Sequence, residues 1–144
     1  MNSERIQFSK LLKKHGYSLT EPRKQIFKRL SSRNAVSINQ LIASLPYDRS
    51  TIYRTIDLFQ ELGIVVEVHL GWKHKFELSD MFQHHHHHLT CINCKQTIPL
   101  PEDQQLEQAI ALLGKKYSFK PLDHQIELTG ICASCQTKSR TPAK

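Results

Sequence analysis

Four cysteines stand as two C-x-x-C pairs, Cys91 with Cys94 and Cys132 with Cys135, and they are all the cysteines in the chain. A C-x-x-C turn brings two thiolates to one ion, and two such turns complete a tetrahedral S4 shell suited to Zn(II). A single pair could be redox-active; two pairs with no spare cysteine favour a structural zinc. Metal binding would then be part of folding the segment that holds them. The N-terminus lacks an apolar signal core, and no apolar run approaches the roughly 18 to 20 residues needed to span a bilayer. The expectation is a cytoplasmic protein with no membrane partner, in a reducing compartment where paired cysteines bind metal rather than form disulfides.

The run His84 to His88 leads directly into Leu89, Thr90 and Cys91. In an extended strand successive side chains alternate faces, so His86 and His88 point one way while His85 and His87 point the other. Each pair could join a different metal site. A lone histidine is usually a polar filler or a packed core residue. Five in a row beside a zinc staple read as imidazole ligands, at least two of them.

These residues need a scaffold. Residues 84 to 136 read as a small α/β unit: the histidine segment, one strand around Leu89 to Leu100, a helix from about Glu102 to Lys116, and a strand from Gln125 to Ile131. The long gap between the cysteine pairs requires a helix looped out between the strands they staple. Residues 137–144 are polar and basic and read as a flexible tail. Ahead of this unit, Ser3 is a candidate cap for a first helix carrying Ile6, Leu11 and Leu12, which stops at Gly16. Thr20, followed by Glu21 and Pro22, opens a second helix with Ile26, Phe27 and Leu30 inward. Ser37 and Gln40 form a capping-box pattern ahead of Leu41, Ile42 and Leu45. From Asp48 or Ser50 to Leu62, Ile52, Ile56 and Phe59 repeat at helical spacing, and Gly63 supplies the stop. The opposite face carries Arg49, Thr51, Tyr53, Arg54 and Asp57. Ile64 to Leu70 and His74 to Leu78 are β-rich runs around a Gly71–Trp72 turn, as in a two-stranded wing. The fold class is therefore α+β: a winged helix-turn-helix in residues 1–79, a hinge at about 79–84, and the small α/β unit in residues 84–136.

The chain has 144 residues, a formal net charge of +7 and a pI near 9.4, and most of the excess positive charge lies in the N-terminal half. That fits a polyanion partner, because neutralising phosphates releases condensed counterions. Arg54 can contact phosphate or hydrogen-bond guanine in bidentate fashion, and Tyr53 can reach phosphate or a thymine methyl. Their position near the start of the fourth helix suits docking in the major groove of double-stranded DNA.

The order of a Pro22–Arg23 helix start, the Tyr53–Arg54 helix, Phe76–Glu77–Leu78, a histidine run ending three residues before C-x-x-C, and a final C-x-x-C resembles the ferric uptake regulator (Fur) family over residues 10 to 136. The resemblance implies a winged-helix domain hinged to a dimerisation domain, a homodimer that binds an operator, and a divalent ion at the hinge, Fe(II), Zn(II) or Mn(II), that sets operator affinity. Arg23, Arg49, Thr51, Tyr53 and Arg54 are the candidate DNA contacts. The four cysteines match the family's structural zinc site. For the regulatory site Glu77, His86 and His88 match by motif, but the family's usual histidine falls at Ala35 and its usual acidic residue at Pro99. A two-residue expansion after Leu78 makes Asp80 available. Zinc-sensing members take a ligand from the first wing strand, where Glu67 stands. The resulting regulatory set is Glu67, Glu77 or Asp80, His86 and His88. Peroxide sensing in the family uses the positions of Ala35 and Pro99 and is not expected. A third family site matches His85, His87, Glu107 and His124. The reading is a metal-responsive repressor. Its rivals are a metal storage or delivery protein without regulated DNA binding, and a zinc hydrolase, for which no motif such as H-E-x-x-H is present.

Overall fold

Capping chemistry places the helices that lead to the wing. A computed structural model describes residues 2–32, 34–70 and 73–138, and the chain divides into two units, 1–83 and 84–144. In the first unit α1 (Asn2–Lys14), α2 (Glu21–Leu30), α3 (Ile38–Ser44) and α4 (Arg49–Glu61) precede β1 (Val65–Leu70) and β2 (Lys73–Leu78). Ser3 lies inside α1 rather than capping it. The buried stripe of α1 is Phe8 and Leu12, one turn apart, which leaves Ile6 on the other side and 51% exposed. Phe8 stacks on Phe27 with ring centroids 4.1 Å apart and meets Phe59 edge-on at 5.4 Å. Around this centre Ile26, Leu30, Leu41, Ile52 and Ile56 complete one apolar core.

The caps explain where the helices start. Ser37 Oγ accepts from the Gln40 amide at 3.3 Å and Gln40 Oε1 accepts from the Ser37 amide at 2.9 Å, a reciprocal capping box. Asp48 caps α4 through the Thr51 amide. Thr20 caps α2 by backbone geometry alone, with Pro22 in the first turn where its missing N–H costs nothing. Gly63, at φ +65, turns the chain out of α4 and into β1 in a conformation that favours glycine.

Strands β1 and β2 pair antiparallel, with Glu67 opposite Phe76 and His69 opposite His74. The expected Gly71–Trp72 turn lies outside the described residues. The segment expected as a hinge is largely tied to the first unit. The Ser79 amide donates to Ile64 O at 2.9 Å, its hydroxyl donates to Gly63 O at 2.7 Å, and Phe82 packs edge-on against Phe27 at 5.2 Å. Residues 79–83 therefore extend the wing's packing, because Phe82 gains more by entering the core than by staying in solvent.

The second unit comprises β3 (His86–Cys91), β4 (Thr97–Pro101), α5 (Gln104–Lys116), β5 (Glu127–Gly130) and α6 (Ala133–Lys138). The single strand expected over Leu89 to Leu100 is two strands. The first C-x-x-C reverses the chain, with Lys95 at φ 61 donating back to Cys91 O at 3.0 Å. The sheet order is β4-β3-β5, with β3–β4 antiparallel and β3–β5 parallel. A parallel pair needs a long crossover, which α5 supplies and which accounts for the long gap between the cysteine pairs. The chain leaves α5 by folding tightly over Gly114, where a Cβ would sit 2.8 Å from Phe119 O and from Pro121. The expected tail begins too early, since residues 137 and 138 close α6; residues 139–144 lie outside the described part. Among the described residues no helix is long and apolar enough to cross a membrane.

Candidate metal centres and nucleic-acid interface

The parallel pairing of β3 with β5 puts Cys91 in register with Gly130, two residues before Cys132. Cys94 follows on the turn and Cys135 on α6, so the four sulfur atoms lie within 4.8 Å of one another. Cys94 Sγ and Cys132 Sγ are 3.7 Å apart. That is close to the edge of about 3.8 Å that a tetrahedron with Zn–S of about 2.3 Å requires. The backbone amide of Cys132 donates to Cys91 Sγ at 3.3 Å. This donor, followed by the amide of Cys94, pulls the Cys91 thiol down to about 6. The Ser134 hydroxyl and then the Cys135 amide lower Cys132, while contact with Cys132 followed by burial pushes Cys135 up to about 12. Four sulfurs this close cannot all ionise unaided, and a dication resolves the conflict. The residues fit zinc.

A second cluster assembles on one side of β3. Asp103 caps α5 by accepting from the Leu106 amide at 3.0 Å, which sets Glu107 one turn in. His87, only 1% exposed, has Nε2 at 3.1 Å from Glu107 Oε1. His85 Nε2 is 3.0 Å from His124 Nε2, and His124 Nε2 is 3.2 Å from Glu107 Oε2. A tetrahedral N3O shell with bonds of about 2.1 Å has edges of about 3.4 Å, so three imidazoles and a carboxylate already meet near ligand spacing. Burial pushes the Glu107 carboxyl up, but the hydrogen bond from His87 and the charge and hydrogen bond of His124 outweigh it, and the group sits below its ordinary value.

His86 and His88 share the opposite side of β3, with ring centroids 4.9 Å apart and planes at 70°. His88 is buried and faces Pro99 across the β3–β4 register, the position at which the resemblance leads one to expect an acidic residue. In the first unit Glu77 is buried on β2 and Asp80 is exposed on the turn that follows; Ala35 is buried. Glu67 is gathered with His69 and His74 on the wing. Neither histidine was among the expected ligands. The two-residue alternation of Glu67 and His69 on β1, with a histidine facing them from β2, was the available signal.

On α4, Tyr53 is 47% exposed and Arg49 and Arg54 are exposed, while Thr51 is half-buried with its amide committed to the cap. The Arg54 guanidinium lies back along the helix, donating from Nε to Ser50 O and from Nη2 to Ser50 Oγ, both at 3.2 Å. Ser50 in turn donates to Asp48 at 2.6 Å. Hydrogen bonds from Ser50 and then Thr51 hold the Asp48 carboxyl below its ordinary value. Arg23 is half-buried, donates to Ser18 O, and lies 5.5 Å over the Tyr17 ring. It braces the link between α1 and α2 in addition to any contact with DNA.

A winged-helix unit followed in the chain by a unit rich in cysteine and histidine clusters defines the class of metal-responsive DNA-binding regulators. Residues 14–129 match the ferric uptake regulator family model, and the chain belongs to that family. It is 34% identical over 134 residues to the ferric uptake regulation protein of Synechococcus elongatus, covering 87% of this chain and 90% of that one. The crystal structure of the Vibrio cholerae ferric uptake regulator, described as showing rearrangement of its DNA-binding domains, superposes with a TM-score of 0.73 at 32% identity. It covers 86% of this chain and 98% of that chain. The Helicobacter pylori regulator, described as having three functional metal-binding sites, has a TM-score of 0.79 at 20% identity over 94% of this chain and 93% of that one.

Proposed function

We propose that this chain is a cytoplasmic, homodimeric repressor, and not an enzyme, in which a divalent metal held by Glu77, His86 and His88 sets affinity for a double-stranded DNA operator. The carrying observation is the two-sided use of β3. His85 and His87 meet Glu107 and His124 on one side, and His86 and His88 meet edge to face on the other. One strand thereby serves two metal centres of different purpose. The cluster of His85, His87, Glu107 and His124 holds the second unit together with the four-cysteine zinc. His86 and His88, which follow the wing in the chain, are the pair that links metal to the DNA-binding unit.

Metal that binds the DNA-competent state better than the other shifts the population, and operator must tighten the metal in return. With a proline at 99 and an alanine at 35 the regulatory shell is poorer in protein ligands. Two imidazoles and a carboxylate suit Zn(II) or Fe(II) with water completing the shell. The exposed Tyr53 and Arg54 on α4 favour this reading over storage or delivery, because a carrier has no use for such a face.

The test is duplex binding titrated with Fe(II), Zn(II) and Mn(II). His86→Ala should abolish metal stimulation and keep the cysteine-bound zinc, whereas His87→Ala should lower the stability of the second unit. Indistinguishable metal content and DNA affinity in the two variants would reject the two-sided model.

A further inference from the structure

The wing carries a further cluster, which the proposed repressor mechanism leaves unused. Glu67 and His69 are two residues apart on β1 and so share a face, and His74 stands directly across from His69 in the β1–β2 register. The Glu67 carboxylate accepts from His74 Nδ1. The His69 and His74 rings are 4.9 Å apart at 70°. One ligand atom from each of the three residues lies within 4.8 Å of the others. A cross-strand Glu–His pair alone would be an ordinary surface contact of little worth. Here a second imidazole is offered to the same point, and two imidazoles with a carboxylate are a donor set for a borderline-soft dication.

We propose that Glu67, His69 and His74 form a metal site on the wing, filled by Zn(II) or a similar imidazole-preferring divalent ion. Three protein ligands leave the fourth position to water. Both histidines are exposed and Glu67 is half-buried, and no thiolate contributes. The site is therefore weaker than the four-cysteine shell and fills after it. The ion bridges two strands, so its mechanical effect is to cross-link the hairpin. This reading takes Glu67 out of the regulatory set and assigns it to the wing. It uses no residue of the second unit, and so stands or falls independently of the repressor mechanism.

The test uses the full chain carrying its tightly held zinc and titrates further Zn(II) by calorimetry, comparing wild type with His69→Ala and His74→Ala. Both side chains are exposed, and far-ultraviolet circular dichroism checks that the variants fold. The site predicts one fewer zinc equivalent in each variant, with His86→Ala retaining that equivalent. In wild type, added Zn(II) should slow amide exchange in residues 65–70 and 73–78. Equal zinc stoichiometry and affinity in wild type and both variants, or hairpin exchange unmoved by Zn(II), overturns the proposal. So does a variant that only lowers thermal stability, because loss of the Glu67–His74 pair would do that without metal.

Discussion

At the level of single residues the two cysteine pairs are unequal partners. Cys91 is the thiol most prepared for metal, since amide donors hold it at about 6, whereas Cys135 is held at about 12 by its contact with Cys132. At neutral pH Cys91 enters the zinc shell already ionised and Cys135 must surrender its proton to the metal. Calorimetry in buffers of different ionisation enthalpy should find one more proton released per zinc at pH 5 than at pH 7.5, as Cys91 titrates between them. The sign for stability follows. A thiol lowered in the folded state contributes in full above its ordinary value of 9.0 and loses that contribution as pH falls through about 6. Mild acidification should therefore loosen the second unit and its hold on zinc. Cys91→Ser should lose the tightly held zinc and unfold this unit, as read by elemental analysis and proteolysis; a variant that keeps zinc and native protease resistance would contradict the structural role.

The elements show what the sequence could convey and what it could not. Helix α4 was readable because Asp48, Ile52, Ile56, Phe59 and Gly63 mark its cap, its stripe and its stop in order. Strand β3 was readable by alternation. Its partner β4 was not, since Leu89 to Leu100 reads as one strand although the C-x-x-C turn and the polar Asn93, Lys95 and Gln96 within it mark the reversal that the antiparallel β3–β4 register and the φ of Lys95 show. Helix α6 was missed because its residues are polar and its start is fixed by the Cys132 carbonyl, which accepts from Cys135 and Gln136. The face of α4 makes a prediction of its own. Arg54 rests on Ser50 and must swing outward to reach a base edge. Arg54→Ala should weaken specific DNA binding by about 1 to 3 kcal/mol if it reads a base. If it meets phosphate instead, the loss should be equal on all sequences with a shallower salt dependence. Gel shifts on operator and random duplex across a salt series separate the two, and unchanged affinity for both removes Arg54 from the interface.

Over the whole molecule, the first unit buries its large apolar side chains around Phe8, Phe27 and Phe59, whereas the second leaves many of its own in solvent. Leu112 is 65%, Leu122 88% and Leu128 56% exposed. Leu128 faces Leu89 and, beyond it, Ile98 across the sheet, and among the described residues β5 is an edge strand of that sheet. Apolar surface on this scale, with an edge strand beside it, is what a partner subunit covers. A second copy of the chain fits the proposed regulator, because two winged helices then address two half-sites. Leu128→Asp should place a charge in that contact without touching any of the metal ligands. Sedimentation should find a single-chain mass with the cysteine-bound zinc retained. Operator affinity should fall about 10²- to 10⁴-fold as the second half-site contact ceases to be intramolecular, while binding to one isolated half-site should change little. A dimer of unchanged stability in this variant would move the subunit contact away from β5, and an unchanged operator affinity in a proven monomer would remove dimerisation from DNA recognition altogether.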